Sequence, residues 1–194
     1  MTQEQMETNL IKQIDWANEE LRTTEQWWAD VSSDPVKMIK WLKSQYYGES
    51  TAVDRVLKLI EIYNVTGKNK LLLEKIADDE RNHARWVKGL LLNRGIDDVL
   101  LKRDERYWDA AMEELPETFE LACAIGYHAE TMRLERIQLL ADDDRFEDIA
   151  AVFTKILKDE LFHAKALETL TTPEAIAATY SKHIAGKNAL GLVA

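Results

Sequence analysis

The chain is poor in the residues that interrupt helices, with only 7 Gly and 3 Pro in 194 residues. Strand-rich folds need frequent turns, so this scarcity argues against them and for long helices. Cysteine is nearly absent. Cys123 stands alone, which excludes an intramolecular disulfide, an iron–sulfur cluster and a four-cysteine iron site within the chain. No apolar run approaches the roughly 18 residues of a membrane-spanning helix. Met1 to Leu10 lack an apolar signal core, so a cytoplasmic protein with no membrane partner is expected. Positive charge is also short, with 25 Lys and Arg against 35 Asp and Glu and a net charge of −10. Nucleic-acid binding rests largely on phosphate neutralisation, so a nucleic-acid partner is not expected.

What is present has the composition of one globular unit, 46% hydrophobic and 31% charged. A single domain over 1–194 is expected, with a core bundle over about 35–170. Residues 3–30 read as an amphipathic helix. Ser33, Asp34 and Pro35 form a helix start, followed by apolar residues at three- and four-residue spacings to about residue 64. A turn over 64–69 leads to a helix over about 69–93, closed by Gly95. A connection with a helix near 103–114 follows, then a helix from Pro116 to about 141 and a turn at Asp142 to Asp144. The next helix covers about 145–170, Thr172-Pro173 opens a short last one, and residues 186–194 read as a loose tail. The expected fold class is all-α: two long hairpins joined by a crossover, with an extra N-terminal helix and a short C-terminal helix.

An internal repeat carries the chemistry. Tyr46, Glu49, Ser50, Asp54 and Arg55 recur 81 residues later as Tyr127, Glu130, Thr131, Glu135 and Arg136. Asp79-Glu80-x-x-His83 recurs 80 residues later as Asp159-Glu160-x-x-His163. Glu and His three apart on a helix share one face, so both side chains address one site. Glu49 precedes its hairpin turn by about as many residues as Glu80 follows it, and at about 1.5 Å per residue the two carboxylates return to nearly one level. Glu130 and Glu160 do the same around Asp144. Four carboxylates and two imidazoles thus converge on one layer, all on apolar stripes. Such burial is costly unless cations neutralise it, and two divalent ions balance four Glu with two neutral His.

Glu, then Glu-x-x-His, twice over, resembles the ferritin-like di-iron carboxylate superfamily of ferritins, rubrerythrins, manganese catalases and di-iron oxygenases. The resemblance spans about 35–170 and matches every position of the six-ligand pattern: Glu49, Glu80, His83, Glu130, Glu160 and His163. It implies two iron ions, with manganese or a mixed Mn/Fe pair as alternatives, since carboxylate and imidazole suit both metals. By the same resemblance Glu80 and Glu160 bridge the metals while the other four bind terminally. It also implies that Asp79 hydrogen-bonds His163 and Asp159 hydrogen-bonds His83, fixing the imidazole tautomers.

Tyr46 and Tyr127 precede the lone Glu residues by one turn. They are candidate catalytic residues, as hydrogen-bond donors or electron relays, with plain core packing as the other reading. Asp54-Arg55 and Glu135-Arg136 are expected to form symmetric ion pairs between helices. Gly126 and Ala129 beside Glu130 leave room for a ligand or serve close helix packing. His128 and His183 match no ligand spacing.

Three functional classes follow from the resemblance. The site activates O2 to oxidise or hydroxylate a small molecule, cycles against hydrogen peroxide as a peroxidase or manganese catalase, or oxidises iron for storage. Rubrerythrins typically add a ligand Glu three residues after the third-helix Glu, where this chain has Arg133, and usually carry a four-cysteine iron site, which it lacks. Cage ferritins place their first ligand close to the N-terminus, whereas Glu49 follows a whole extra helix expected over 3–30. The expectation is therefore a di-iron oxygenase or oxidase, monomeric or homodimeric, served by a separate electron donor.

Overall fold

The computed structural model describes residues 23–99 and 105–192, in which all regular structure is helical. Most of the expected helix over 3–30 lies outside the described residues. The described part opens with a fresh helix start. Thr23 accepts the Gln26 N–H at 3.2 Å while the Gln26 side chain accepts the Thr23 N–H at 3.0 Å, a reciprocal cap for α1 (Thr24–Ser32). Asp34 then accepts the Val36 N–H at 2.8 Å and Pro35 takes the first position of α2 (Pro35–Ile62).

Asn64, at φ 51°, turns the chain into α3 (Gly67–Leu92). α3 ends as its sequence predicts. Gly95 takes φ 71° and the Ile96 N–H reaches back to the Leu91 carbonyl at 3.1 Å, closing the last turn. The crossover carries a shorter helix than expected, α4 (Arg106–Ala111). α5 (Phe119–Ala141) starts at its Thr118 cap rather than at Pro116, because Thr118 can accept the Leu121 N–H. A 3₁₀ turn (Asp144–Phe146) leads into α6 (Glu147–Thr169).

The C-terminal region departs from expectation. α7 (Pro173–Ala178) is the predicted short helix, but the predicted tail is largely a further helix, α8 (Tyr180–Leu190). Its anchor is a close approach: a Cβ added to buried Gly186 would lie 2.5 Å from Tyr107 Cδ2. Tyr107 donates from its hydroxyl to His183 Nδ1 at 2.8 Å, with His183 neutral. Contacts with a helix some 75 residues away stabilise α8, and no local pattern announces them.

α2, α3, α5 and α6 form a ferritin-like four-helix bundle whose core is cut in two. One apolar cluster gathers Met38, Leu42, Val87, Leu90, Ile137, Leu140, Ile149 and Phe153, with Trp28 of α1. The other gathers Leu73, Ile76, Cys123, Ala166 and Leu167. Along each of the four helices, the predicted Glu and His positions fall between these clusters. The polar layer is therefore clamped by two dry ones. α2 packs on α3 and α5 on α6, while α2 and α5 do not pack closely on each other. Among the described residues, α1, α4 and the end of α8 stand over that side of the bundle.

Candidate metal centre

Each helix delivers its donor by register. Glu80 and His83 lie one turn apart on α3, Glu160 and His163 one turn apart on α6, and Glu49 and Glu130 at mid-length of α2 and α5. All six side chains are buried, from 0% exposed for both histidines to 6% for Glu130. Glu49, Glu80, His83 and Glu160 bring one donor atom each to within 4.8 Å of one another. His83 Nδ1 lies 3.6 Å from carboxylate oxygens of Glu49, Glu80 and Glu160. His163 Nδ1 lies 3.6 Å from Glu160 and 3.7 Å from Glu80. Glu130 is turned toward Arg133, whose guanidinium stands 3.5 Å from it.

The histidines are oriented from behind. His83 Nε2 lies 3.3 Å from Asp159, and His163 Nε2 lies 3.3 Å from Asp79. With Nε2–H donated to an aspartate, each Nδ1 lone pair points into the layer, the tautomer a metal ligand needs. The two supports differ. Asp79 is also bound by Lys75 and its side chain is 8% exposed, whereas that of Asp159 is 25% exposed.

Electrostatics show a layer short of positive charge. Burial, then the Glu49 charge, pushes Glu80 well above the usual carboxylate range. Burial and Glu130 do the same to Glu160. Burial alone would also raise Glu49, but contacts with His83 and Glu80 hold it at about 2. Burial would lower His83, yet Glu49 and Glu80 raise it to about 11. Protons are thus recruited to do what cations would do better. Hydrogen bonding tells the same story. Among the described residues the buried side-chain atoms within hydrogen-bonding distance and geometry of no partner are Glu49 Oε2, Glu80 Oε2, His83 Nδ1, Glu130 Oε2, Glu160 Oε2 and His163 Nδ1. Unpaired buried polar atoms are rare and each costs about 1–3 kcal/mol, so one from each of six converging donors fits a pair of bound ions.

The tyrosines are held by packing. Tyr46 packs on the first apolar cluster and Tyr127 on the second, and neither hydroxyl bonds a site carboxylate. Gly126 serves packing, since a Cβ there would stand 3.2 Å from Leu167 Cδ1, and Ala129 packs toward α4. The free space lies elsewhere. A cavity of about 490 Å³ opens between α2 and α5, with Glu49 in its wall beside Gly48 and Arg133.

Sequence reasoning did not single out Gln45 and gave Arg55 and Arg136 other partners. Gln45 donates to Glu49 Oε1 from one turn earlier, a contact its helical spacing could have suggested. The expected symmetric ion pairs are not formed. Arg55 bonds Glu105 at 2.5 Å, Arg136 lies 4.8 Å above the Trp27 ring, and both line the cavity. No helix of the described residues is long and apolar enough to cross a membrane. No curated protein and no solved structure matches the chain. Despite Arg133 and the single cysteine, the departures that set its motifs apart from rubrerythrins, the Rubrerythrin family model matches residues 40–171, and the chain belongs to that family.

Proposed function

We propose that this protein is a non-haem di-iron oxidoreductase that uses O2 to oxidise or hydroxylate a small organic molecule. Glu49, Glu80, His83, Glu130, Glu160 and His163 would hold the two ions, with Asp79 and Asp159 orienting the imidazoles. Bound there, a pair of iron ions supplies paired redox equivalents and Lewis acidity in one dry layer. A hydroxylation balances as C–H + O2 + 2 e⁻ + 2 H⁺ giving C–OH + H2O. The two electrons would be supplied by a donor outside this helical bundle.

The observation that carries this reading is the cavity. An iron store or a peroxide scavenger needs only a channel for an ion or a diatomic-sized reactant. Here about 490 Å³ lies against Glu49, within the usual size range of small-molecule sites. Arg133 strengthens the reading: at the position where the family's further carboxylate ligand is expected, it brings a fixed positive charge against Glu130. Burial works against that charge, but Glu130, Glu160, Glu80 and Glu49 together keep it firmly protonated.

The test is O2 consumption by the Fe(II)-loaded protein with a chemical reductant, set against its consumption of hydrogen peroxide. Accelerated O2 uptake is expected. Indifference to O2 with rapid peroxide disproportionation by a manganese form would replace the reading with catalase. Uptake of many irons per chain by a very large assembly would replace it with iron storage; a monomer or homodimer is expected.

A further inference from the structure

We propose that the cavity between α2 and α5 binds a small organic anion: an apolar body, aliphatic or aromatic, ending in one carboxylate that Arg136 receives. This inference rests on the oxidoreductase reading for its meaning but not for its test. The walls divide by chemistry. Trp41, Ile137, Leu140 and Phe153 make one side apolar, and the rest of the wall holds Ser44, Gln45, Glu49 and four arginines, of which Arg106 is exposed to solvent. Arg55 is committed to Glu105 at 2.5 Å, and Arg133 stands 3.5 Å from Glu130. Arg136 is different. It is partly buried, its guanidinium lies over the Trp27 ring at 4.8 Å, and among the described residues no carboxylate forms an ion pair with it.

A guanidinium seated over an indole ring is not consumed as a hydrogen-bond donor by that contact, and its N–H groups match a carboxylate in two parallel hydrogen bonds. Position adds to charge. Arg136 lies six residues beyond Glu130, about 9 Å along the helix from the carboxylate layer. A carboxylate received there places the far end of a medium-length apolar body beside Glu49. The C–H bonds presented to the centre then lie several bonds from the acid group. A neutral apolar ligand would leave Arg136 desolvated and unpaired, and a cationic one would add repulsion, so the cavity selects by charge.

The test compares three probes of one shape on the full chain: 4-phenylbutyrate, 4-phenylbutan-1-ol and 4-phenylbutylamine. Binding is read by calorimetry and by tryptophan fluorescence, since Trp27, Trp41 and Trp108 line the cavity. Metal-free and metal-loaded protein are both titrated. The anion is expected to bind at least about tenfold tighter than the alcohol in both forms, and the amine weakest. Arg136→Gln should remove that preference while leaving alcohol affinity within about twofold, and Arg136→Lys should restore part of it. Equal affinity for anion and alcohol, or no binding of any probe, would overturn the proposal. So would anion binding that needs the metals and ignores Arg136→Gln, because the carboxylate would then be a metal ligand. Anion selectivity in a protein that fails to take up O2 would keep this proposal and sink the oxygenase reading.

Discussion

Replacing Gly186 with Ala sets two physical effects against each other. Within an α-helix the change should stabilise by about 0.5–1 kcal/mol, because alanine loses less backbone entropy. At this position the new Cβ would stand 2.5 Å from Tyr107 Cδ2, 2.6 Å from Cε2 and 3.0 Å from Cγ. The ring has little room to yield. Tyr107 is 5% exposed, its hydroxyl is tied to His183 Nδ1 at 2.8 Å, and it packs edge-on to Trp108. α8 must therefore move off α4, and overpacking of this kind costs about 1–3 kcal/mol. The clash should win, leaving a net loss of about 1–2 kcal/mol and a melting midpoint lower by roughly 2–8 °C. Thermal unfolding followed by circular dichroism measures it. Because Leu190 and the two residues after it close one wall of the cavity, probe binding there should weaken as well. A Gly186→Ala protein as stable as the parent or more so would show that α8 is not seated on Tyr107 and that helix propensity alone governs it.

Two further outcomes are expected. Burial, then His128 and Lys187, lowers His183 to about 4 from its ordinary 6.5. A group with a depressed folded value and a neutral folded form contributes fully above pH 6.5. That contribution is lost as pH falls from 6.5 toward 4, so melts at pH 5 against pH 7.5 should show a drop that His183→Gln flattens. Asp79→Ala and Asp159→Ala should keep the fold and weaken metal affinity by roughly 10–100-fold, read by chelator competition. Asp79→Ala should cost more, since its carboxylate is the more buried and is held by Lys75; equal losses would refute that ranking, and absent effects would remove the aspartates from the site.

The bundle and the buried cluster of Glu49, Glu80, His83 and Glu160 were legible because both depend on register. A helix places residues three apart on one face, and hairpins of matched length return paired positions to one level. The Glu-x-x-His repeat therefore shows where His83 and His163 stand without coordinates. Legibility ended where partners lie far apart in sequence. α8 has little amphipathic pattern, and what seats it is Tyr107 across the missing side chain of Gly186. Arg55 and Arg136 carry charges that could pair with several neighbours by composition, and only packing reveals that they turn into a shared cavity. Gly126 sits one turn from Glu130 and invited a ligand pocket there, yet Leu167 from α6 fills that space. The start of α1 at Thr24 rests on the reciprocal cap between Thr23 and Gln26, a short-range motif that the apolar periodicity does not mark.

The central claim is that the six orphaned donor atoms hold two metal ions. Anaerobic Fe(II) titration of metal-free protein, with elemental analysis after desalting, tests it most directly. Two ions per chain are expected in the parent, and most of that metal should be lost from the Glu80→Ala, Glu160→Ala double variant, which removes a carboxylate from each of α3 and α6. Full occupancy in the double variant, or no retained iron in the parent, would contradict the assignment.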